Sequence, residues 1–463
     1  MIKLSAREIS LIVNGSLHGD ENILVTQSPV FDSRQAKAGS LFLALVGENT
    51  DGHNFVSDAF GNGAVLALTT KVVDQPCVVV PDVMQALSDL AKFVRVQLCQ
   101  LKVIGITGSQ GKTTTKDLLN FILSSVDETV APVGSFNNEL GVPLTILQCN
   151  EKTKYCIVEM GARHIGDIAA LCEIAKPHIG AVLKVGNAHL GEFGSREAIA
   201  QAKSELITAL TSGGTAVLGT YDQFTPAMQV ADGVAVITFG ERSDCNVRAA
   251  DVEIREGRPH FDLVTKDGRA AVGMRLVGLH QIPNALAAAA ISSALGLSGQ
   301  QIAGALSMAE LASKWRMEIF ETNDRLMIND SYNANPESMA AALRTLALFA
   351  QERGGSAWAV LGKMHELGPS EKSDHAAIGK LVSDLGIDHL VTVSMSAYAS
   401  GISGNSDTKL HEFSNKGDAL LLLNEIQPGD VLLVKASRAE HFEEIAQEVA
   451  SNWQTGAGKR DDE

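Results

Sequence analysis

Residues 105–116 read GITGSQGKTTTK, and the reading of this stretch decides the fold. The run just before the loop, KVIGIT at 102–107, is apolar and β-branched, and residues 112 to about 124 follow it with helical spacing. A glycine-rich turn between a strand and a helix points several backbone N–H groups at one place, and the helix amino terminus adds partial positive charge. Such a turn is a nest for phosphate oxygens. Lys112 can reach terminal phosphates from it, and Thr113 can ligate Mg²⁺. The competing reading is an ordinary turn with a surface lysine, and the flanking strand and helix weigh against it. The usual loop has four residues between its glycines. Here Ile106 stands at the earlier position, so the usable core is Thr107-Gly108-x-x-Gly111-Lys112-Thr113-Thr114, with Ser109 and Gln110 between the glycines.

Outward from this loop the chain alternates strands and helices. Two further buried-looking strands, 155–160 and 181–185, deliver polar residues at their ends, and near-continuous apolar strands separated by helices indicate a parallel sheet covered on both faces. Ligands then belong at the carboxyl ends of the strands. An Ala-rich run from Asn284 to Gly296 reads as a helix with a glycine stop. Before the loop lies a small α/β unit, opened by a capping-box spacing at Ser5 and Glu8 with Gly15 as the helix stop, and with strands at 41–46, 64–68 and 77–80. A third unit begins near Trp315, with strands at 325–329, 357–361, 389–393 and 431–435 and a helix carrying Pro336 in its first turn. The domains are expected at 1–100, 101–312 and 313–463, and the polar tail 455–463 is expected to fray.

The 463 residues, 45% of them hydrophobic, are enough for three cores. No window approaches the roughly 18 uninterrupted apolar residues that a bilayer crossing needs, and the start MIKLSAREIS lacks the layout of a signal peptide. A cytoplasmic protein without stable membrane insertion is expected. Six cysteines without a C-x-x-C pair argue for neither disulfides nor zinc. A net charge of −16 argues against non-specific nucleic-acid binding, so positive charge for an anionic ligand has to be local.

The shortened loop resembles that of the Mur amide ligases and their folylpolyglutamate synthetase relatives. Further segments fall into register with that family and span most of the chain: VEMGARHIGDI (158–168), NAHLGEFGS (187–195), AKSEL (202–206), ELG (366–368), LVKASR (433–438), and at the front DSR (32–34) and DGHNF (51–55). NDSYNANPESM (329–339) is similar to a signature of the family member that adds the last two residues to the cell-wall peptide. The resemblance implies an α/β protein of three domains: a small amino-terminal one for the uridine substrate, a central phosphate-loop domain with a parallel sheet, and a Rossmann-like carboxy-terminal one. It implies ATP, UDP-N-acetylmuramoyl-tripeptide and D-alanyl-D-alanine as substrates, an acyl-phosphate intermediate, two Mg²⁺ ions, and a monomer.

The resemblance also distributes roles. Glu159, ending a buried strand, places a carboxylate at the ligand edge of the sheet for Mg²⁺, and His189 matches the metal-segment histidine of the family. Lys203, which by its spacing from Glu205 reads as a surface side chain, corresponds to a lysine that the family carbamylates. That modification needs the neutral amine, so burial or nearby cations should lower its pKa. Asn137 and Asn138 could hydrogen-bond phosphate or substrate, although Asn pairs are commonly turn formers. In GLHQIPN (278–284) only His280 and Asn284 match the adenine-side pattern, because Gln281 departs from it. Arg316 matches although its approach, KWR, does not. Asp330, Asn333 and Asn335 would orient nucleotide and dipeptide, Lys435 and Arg438 would supply local positive charge, and Ser33 and Arg34 would hold the uridine nucleotide. Lys363 stands where relatives often place Asp. Two readings compete: another ligase of the superfamily, from which NDSYNANP separates this chain, and a nucleotide switch or transport ATPase.

Overall fold

The computed structural model describes residues 1–455 apart from 48, 189, 311 and 405. The expected frayed tail therefore falls almost wholly outside the described residues, as does His189. Within the description the chain is α/β throughout, in three domains built on separate sheets.

The amino-terminal sheet runs in the order Ser16–His18, Cys77–Val79, Ala64–Thr69, Ser40–Leu43, parallel except for its first pair. Its helix Ala6–Ile12 starts at the Ser5 and Glu8 capping box, the Ser5 N–H donating to Glu8 Oε2 at 2.7 Å. The helix does not stop at Gly15. Asn14 takes the left-handed conformation one residue earlier (φ 49°), and Gly15 is instead where the chain touches the sheet: a Cβ there would lie 2.5 Å from Val78 Cγ1.

The central sheet has nine strands. The strand Lys102–Thr107 lies between Ile179–Val182 and Tyr155–Glu159, the chain building outward first on one side and then on the other. The phosphate loop thus leaves the sheet where the winding reverses, the place where open α/β sheets form their crevices. The expected all-parallel sheet holds only in part. Past Val247–Arg255 two antiparallel strands, Arg258–Thr265 and Gly268–Gly273, complete the edge. Glu256 and Gly257 both adopt positive φ (49° and 68°), as a two-residue hairpin turn demands.

The third sheet runs Glu318–Thr322, Arg325–Asn329, Val431–Lys435, Ala357–Leu361, His389–Val393, Lys409–Phe413, with only the first pair antiparallel. The last strand to form in the chain, Val431–Lys435, inserts between the first two parallel ones, so Asp330 and Lys435 arrive side by side at their carboxyl ends.

One apolar core runs without interruption from Ile2 and Leu87 of the first domain to Val158 and Leu206 of the second, whereas the third domain has cores of its own. Arg95 fastens the first junction. Buried on helix Val83–Gln97, it donates to the carbonyls of Ala175 at 2.9 Å and Lys176 at 3.2 Å. Arg95→Ala leaves those acceptors without their donor and is expected to cost about 1–3 kcal/mol. Calorimetry would show this as a lower midpoint for the transition of the first two domains, and an unchanged midpoint would refute it.

Candidate active site

The phosphate loop is fixed by its glycines and neighbours. Gly111 sits at φ 80°, and a Cβ there would fall 2.2 Å from Asn284 Oδ1, so the loop and the Ala-rich helix Gln281–Ala294 approach as only glycine allows. Ser109 stitches the loop to the next strand end: its N–H donates to Lys184 O at 2.9 Å and its Oγ accepts from Gly186 N–H at 2.8 Å. The Lys112 ammonium donates to Gly108 O at 2.7 Å. Burial, and secondarily the Arg316 charge, holds its pKa below the ordinary lysine value against the opposing pull of Glu159.

The helix that follows places Thr113 at the centre of an oxygen-rich node. Its hydroxyl donates to Glu159 Oε2 at 2.9 Å and lies 2.8 Å from Ser135 Oγ. Glu159 is fully buried, and its second oxygen accepts from Asn137 Nδ2 at 2.9 Å. Arg316 reaches this node from the third domain, its Nη2 donating to Thr113 Oγ1 at 3.1 Å and to Ser135 Oγ at 3.0 Å, while its guanidinium lies 4.0 Å from the Tyr332 ring centre. Trp315 and Met317, on either side of Arg316, both take positive φ (61° and 52°), a local cost of presenting that arginine. Asn138 Oδ1 is engaged locally, accepting from Gly141 N–H at 3.1 Å, at the start of helix Gly141–Ile146.

Lys203 departs from its surface reading. On helix Arg196–Thr208 it is 4% exposed, while Glu205 points outward and caps helix Asp167–Ala175 through Gly166 N–H at 2.6 Å and Ala169 N–H at 2.9 Å. Burial, with the Lys112 charge adding to it, pushes the Lys203 pKa down to about 7. At the start of the Ala-rich helix, Gln281 Oε1 accepts from Asn284 Nδ2 at 3.0 Å. Burial pushes His280 down to about 4, with Asp330 opposing and Lys435 assisting.

In the third domain Lys435, buried, donates to Asp330 Oδ2 at 2.5 Å and to Asn333 O at 2.9 Å. Asn333 Oδ1 accepts from its neighbour Ala334 N–H at 2.9 Å, and Asn335 caps helix Pro336–Arg353. Arg438 pairs with Glu443 and stacks on Trp315, 4.6 Å from its ring centre. Both basic residues expected to lend positive charge are therefore matched by carboxylates, whereas Lys112 and Arg316 donate to neutral oxygens. Lys363 forms an ion pair with Glu371 at 3.1 Å.

One cleft of about 1310 Å³ between the central and third domains is lined by Ser109, Gln110, Gly111, Lys112, Thr113, Thr114, Asn137, Asn138, Glu159, Asn284, Arg316, Asp330, Asn333, Asn335, Lys435 and Arg438. Ser33, Arg34, Gly108 and Lys203 are not among its lining residues. Ser33 is buried, and Arg34 forks outward onto Asp32 at 2.7 Å. Their neighbour Phe31 packs edge-on against Phe136 of the cleft, with ring centres 6.4 Å apart. Sequence reasoning missed Ser135 and Tyr332. Tyr332 lies inside the quoted NDSYNANP, and Ser135 precedes Asn137 by two residues with no spacing rule to mark it. Among the described residues no group of three or more His, Cys, Asp or Glu is placed to hold a metal, and no helix is long and apolar enough to cross a membrane.

Comparison with known proteins bears on the same regions. Residues 30–95 match the Mur ligase family catalytic domain, 106–292 the Mur ligase middle domain, and 315–438 the glutamate ligase domain of Mur ligases. The chain is 40% identical to the UDP-N-acetylmuramoyl-tripeptide–D-alanyl-D-alanine ligase of Mycobacterium bovis, over 98% of each chain. Its fold is similar to that of MurF from Acinetobacter baumannii, at 35% identity and TM-score 0.87 over 97% of this chain and 99% of that one. MurF ligase from Thermotoga maritima, solved in complex with ADP, is 28% identical with TM-score 0.80, over 93% and 99%.

Proposed function

The chain belongs to the Mur ligase family, and from that premise we propose how its cleft divides the work of the reaction. It is an ATP-dependent ligase that joins D-alanyl-D-alanine to UDP-N-acetylmuramoyl-tripeptide in peptidoglycan synthesis. The tripeptide's terminal carboxylate is a poor electrophile. One of its oxygens attacks the γ-phosphorus of ATP, ADP leaves, and the acyl phosphate forms. The dipeptide amine then attacks the carbonyl carbon, and phosphate departs with that oxygen.

Like-charged oxygens must approach one another in the first step, so the site has to present fixed cations and dipoles. The observation that carries the assignment is the node of Thr113, Glu159 and Ser135, which Arg316 closes from the opposite domain. One buried carboxylate and two hydroxyls are hard oxygen donors, a set that fits Mg²⁺, which commonly keeps one or two carboxylates and takes its other ligands from phosphates and water. Thr113 and Glu159 would hold one ion; His189, by family likeness, and a carbamate on Lys203 would serve the second. Mg²⁺ when bound supplies charge neutralisation between the phosphate and carboxylate oxygens. Lys112 and the loop N–H groups of Gly108 to Thr114 hold the terminal phosphates, while Asn284 and Asp330 serve the nucleoside end. Asn333, Asn335, Lys435 and Arg438 shape the dipeptide side, with Asn137 and Asn138 near the reacting carboxylate. Ser33 and Arg34 anchor the uridine nucleotide within residues 1–100, residues 101–312 carry ATP, and residues 313–463 present the dipeptide. The chain works as a monomer in the cytoplasm.

Phosphate release is expected to require the UDP-tripeptide and D-alanyl-D-alanine together, and ¹⁸O placed in the tripeptide carboxylate is expected in the released phosphate. Release with neither substrate present would assign the chain to the ATPases, and label retained wholly in the product would exclude the acyl phosphate.

A further inference from the structure

One carboxylate at the domain boundary has no part in the chemistry above. Glu337 lies in the first turn of helix Pro336–Arg353, two residues after the Asn335 cap. Its Oε1 accepts from the backbone N–H of Asn187 at 3.0 Å, and its Oε2 accepts from Gln110 Nε2 at 3.2 Å. The same Gln110 nitrogen donates to Asn335 Oδ1 at 3.0 Å, and that oxygen also accepts from Ser338 N–H at 2.9 Å. Behind them Gly186 is so close that a Cβ would come within 3.2 Å of Glu337 Oε1 and 3.3 Å of Ser109 Cβ. Asn335 and Ser338 line the cleft, but Glu337 does not.

We infer that Glu337 is a positioning residue for the ligation: with Gln110 it registers the dipeptide-side loop of the third domain against the phosphate loop and the 186–188 loop of the central domain. The inference rests on the ligase reading of the same cleft. A carboxylate suits the place because both of its oxygens accept, one from each central-domain loop, and because negative charge in the first turn of a helix is favoured by the helix dipole. An amide at this position retains only one accepting oxygen. Since Asn335 shares the Gln110 donor, a shift of the third domain relative to the phosphate loop breaks bonds at this node together with those of Arg316. The chemistry is sensitive to such shifts, as an error of about 1 Å in a reacting geometry can cost on the order of 10²-fold in rate.

The test uses the full-length protein. Glu337→Ala is expected to lower kcat about 10- to 100-fold, to raise KM for D-alanyl-D-alanine, and to leave ADP affinity and melting temperature near wild type. Amide exchange at Asn187, whose N–H loses its acceptor, should speed up. Glu337→Gln should fall between wild type and Glu337→Ala. The Gln110→Ala, Glu337→Ala double variant should be no slower than the slower single variant, because the two act as one unit. Wild-type kcat and Asn187 exchange in Glu337→Ala, or additive losses in the double variant, would overturn the inference. Wild-type protein lacking dipeptide-dependent phosphate release would count against the ligase reading instead, while Asn187 exchange still tests the node itself.

Discussion

Lys112→Ala is expected to lower the rate of product formation by at least on the order of 10³ while the protein stays folded, because it removes the cation that meets the charge of the transferring phosphoryl group. The Lys112 ammonium is held by the Gly108 carbonyl, within the electrostatic reach of both Glu159 and Arg316. Three charged groups thus converge on the place where phosphate oxygens would lie. Burial already lowers the Lys112 pKa, so the charged form is costly in the folded protein and gains most when an anion is brought to it. Lys112→Arg is not expected to rescue: the ammonium donates to Gly108 O at 2.7 Å as a compact point charge, and a planar guanidinium with its fixed fork of donors does not reproduce that geometry. Rapid-quench measurement of ADP formation checks the prediction. A loss below about tenfold would mean that the loop holds phosphate chiefly by its backbone N–H groups.

The second large effect is expected at Lys203. Lys203→Ala should reduce turnover by on the order of 10² or more, the scale of losing one preorganised charge at a reacting centre. Millimolar formate or bicarbonate should then partly restore activity by standing in for the missing carbamate. In the unmodified protein the lysine Nζ lone pair adds to CO₂, forming N–CO₂⁻ and releasing a proton, and only the neutral amine can do this. With the pKa lowered from 10.5 to about 7, half of the amine is neutral near pH 7, so ¹³C label uptake at fixed dissolved CO₂ should rise through pH 7 and level off above it. For the unmodified lysine the sign in stability follows: between pH 7 and 10.5 the unfolded chain binds the extra proton, so stability rises with pH across that window and the burial penalty is full below it. Absence of rescue together with an unmodified amine in ¹³C spectra would remove the carbamate from the mechanism.

How far the sequence could be read depended on whether a feature is local. The phosphate loop, its strand Lys102–Thr107 and its helix Lys112–Ser124 were legible because β-branched periodicity, two glycines and a Gly-Lys-Thr run lie next to one another. The antiparallel edge of the central sheet escaped notice although Asp267-Gly268 marks the turn between its two strands and Arg258–Thr265 alternates buried and half-buried residues; only its first turn, Glu256-Gly257, carries no strong turn dipeptide. Lys203 was misread by spacing alone. Two residues along a helix separate faces by about 200°, so Glu205 outside implies Lys203 inside, but nothing local says which face is covered. Ser135 and Glu337 were illegible for another reason: each acquires its meaning from a partner on a different loop or domain, Thr113 for one and Gln110 for the other.

The uninterrupted apolar core from Ile2 to Leu206 makes a caliper of the first two domains. If the nucleotide end of the muramyl substrate is gripped near Ser33 and Arg34, the span from that grip to the phosphate loop cannot stretch, and one extended residue measures about 3.3–3.6 Å. A dipeptide-bearing precursor would leave its acid terminus one such step short of the triphosphate, and a tetrapeptide would overshoot it. Chain length is then gauged by the rigid distance between the two sites.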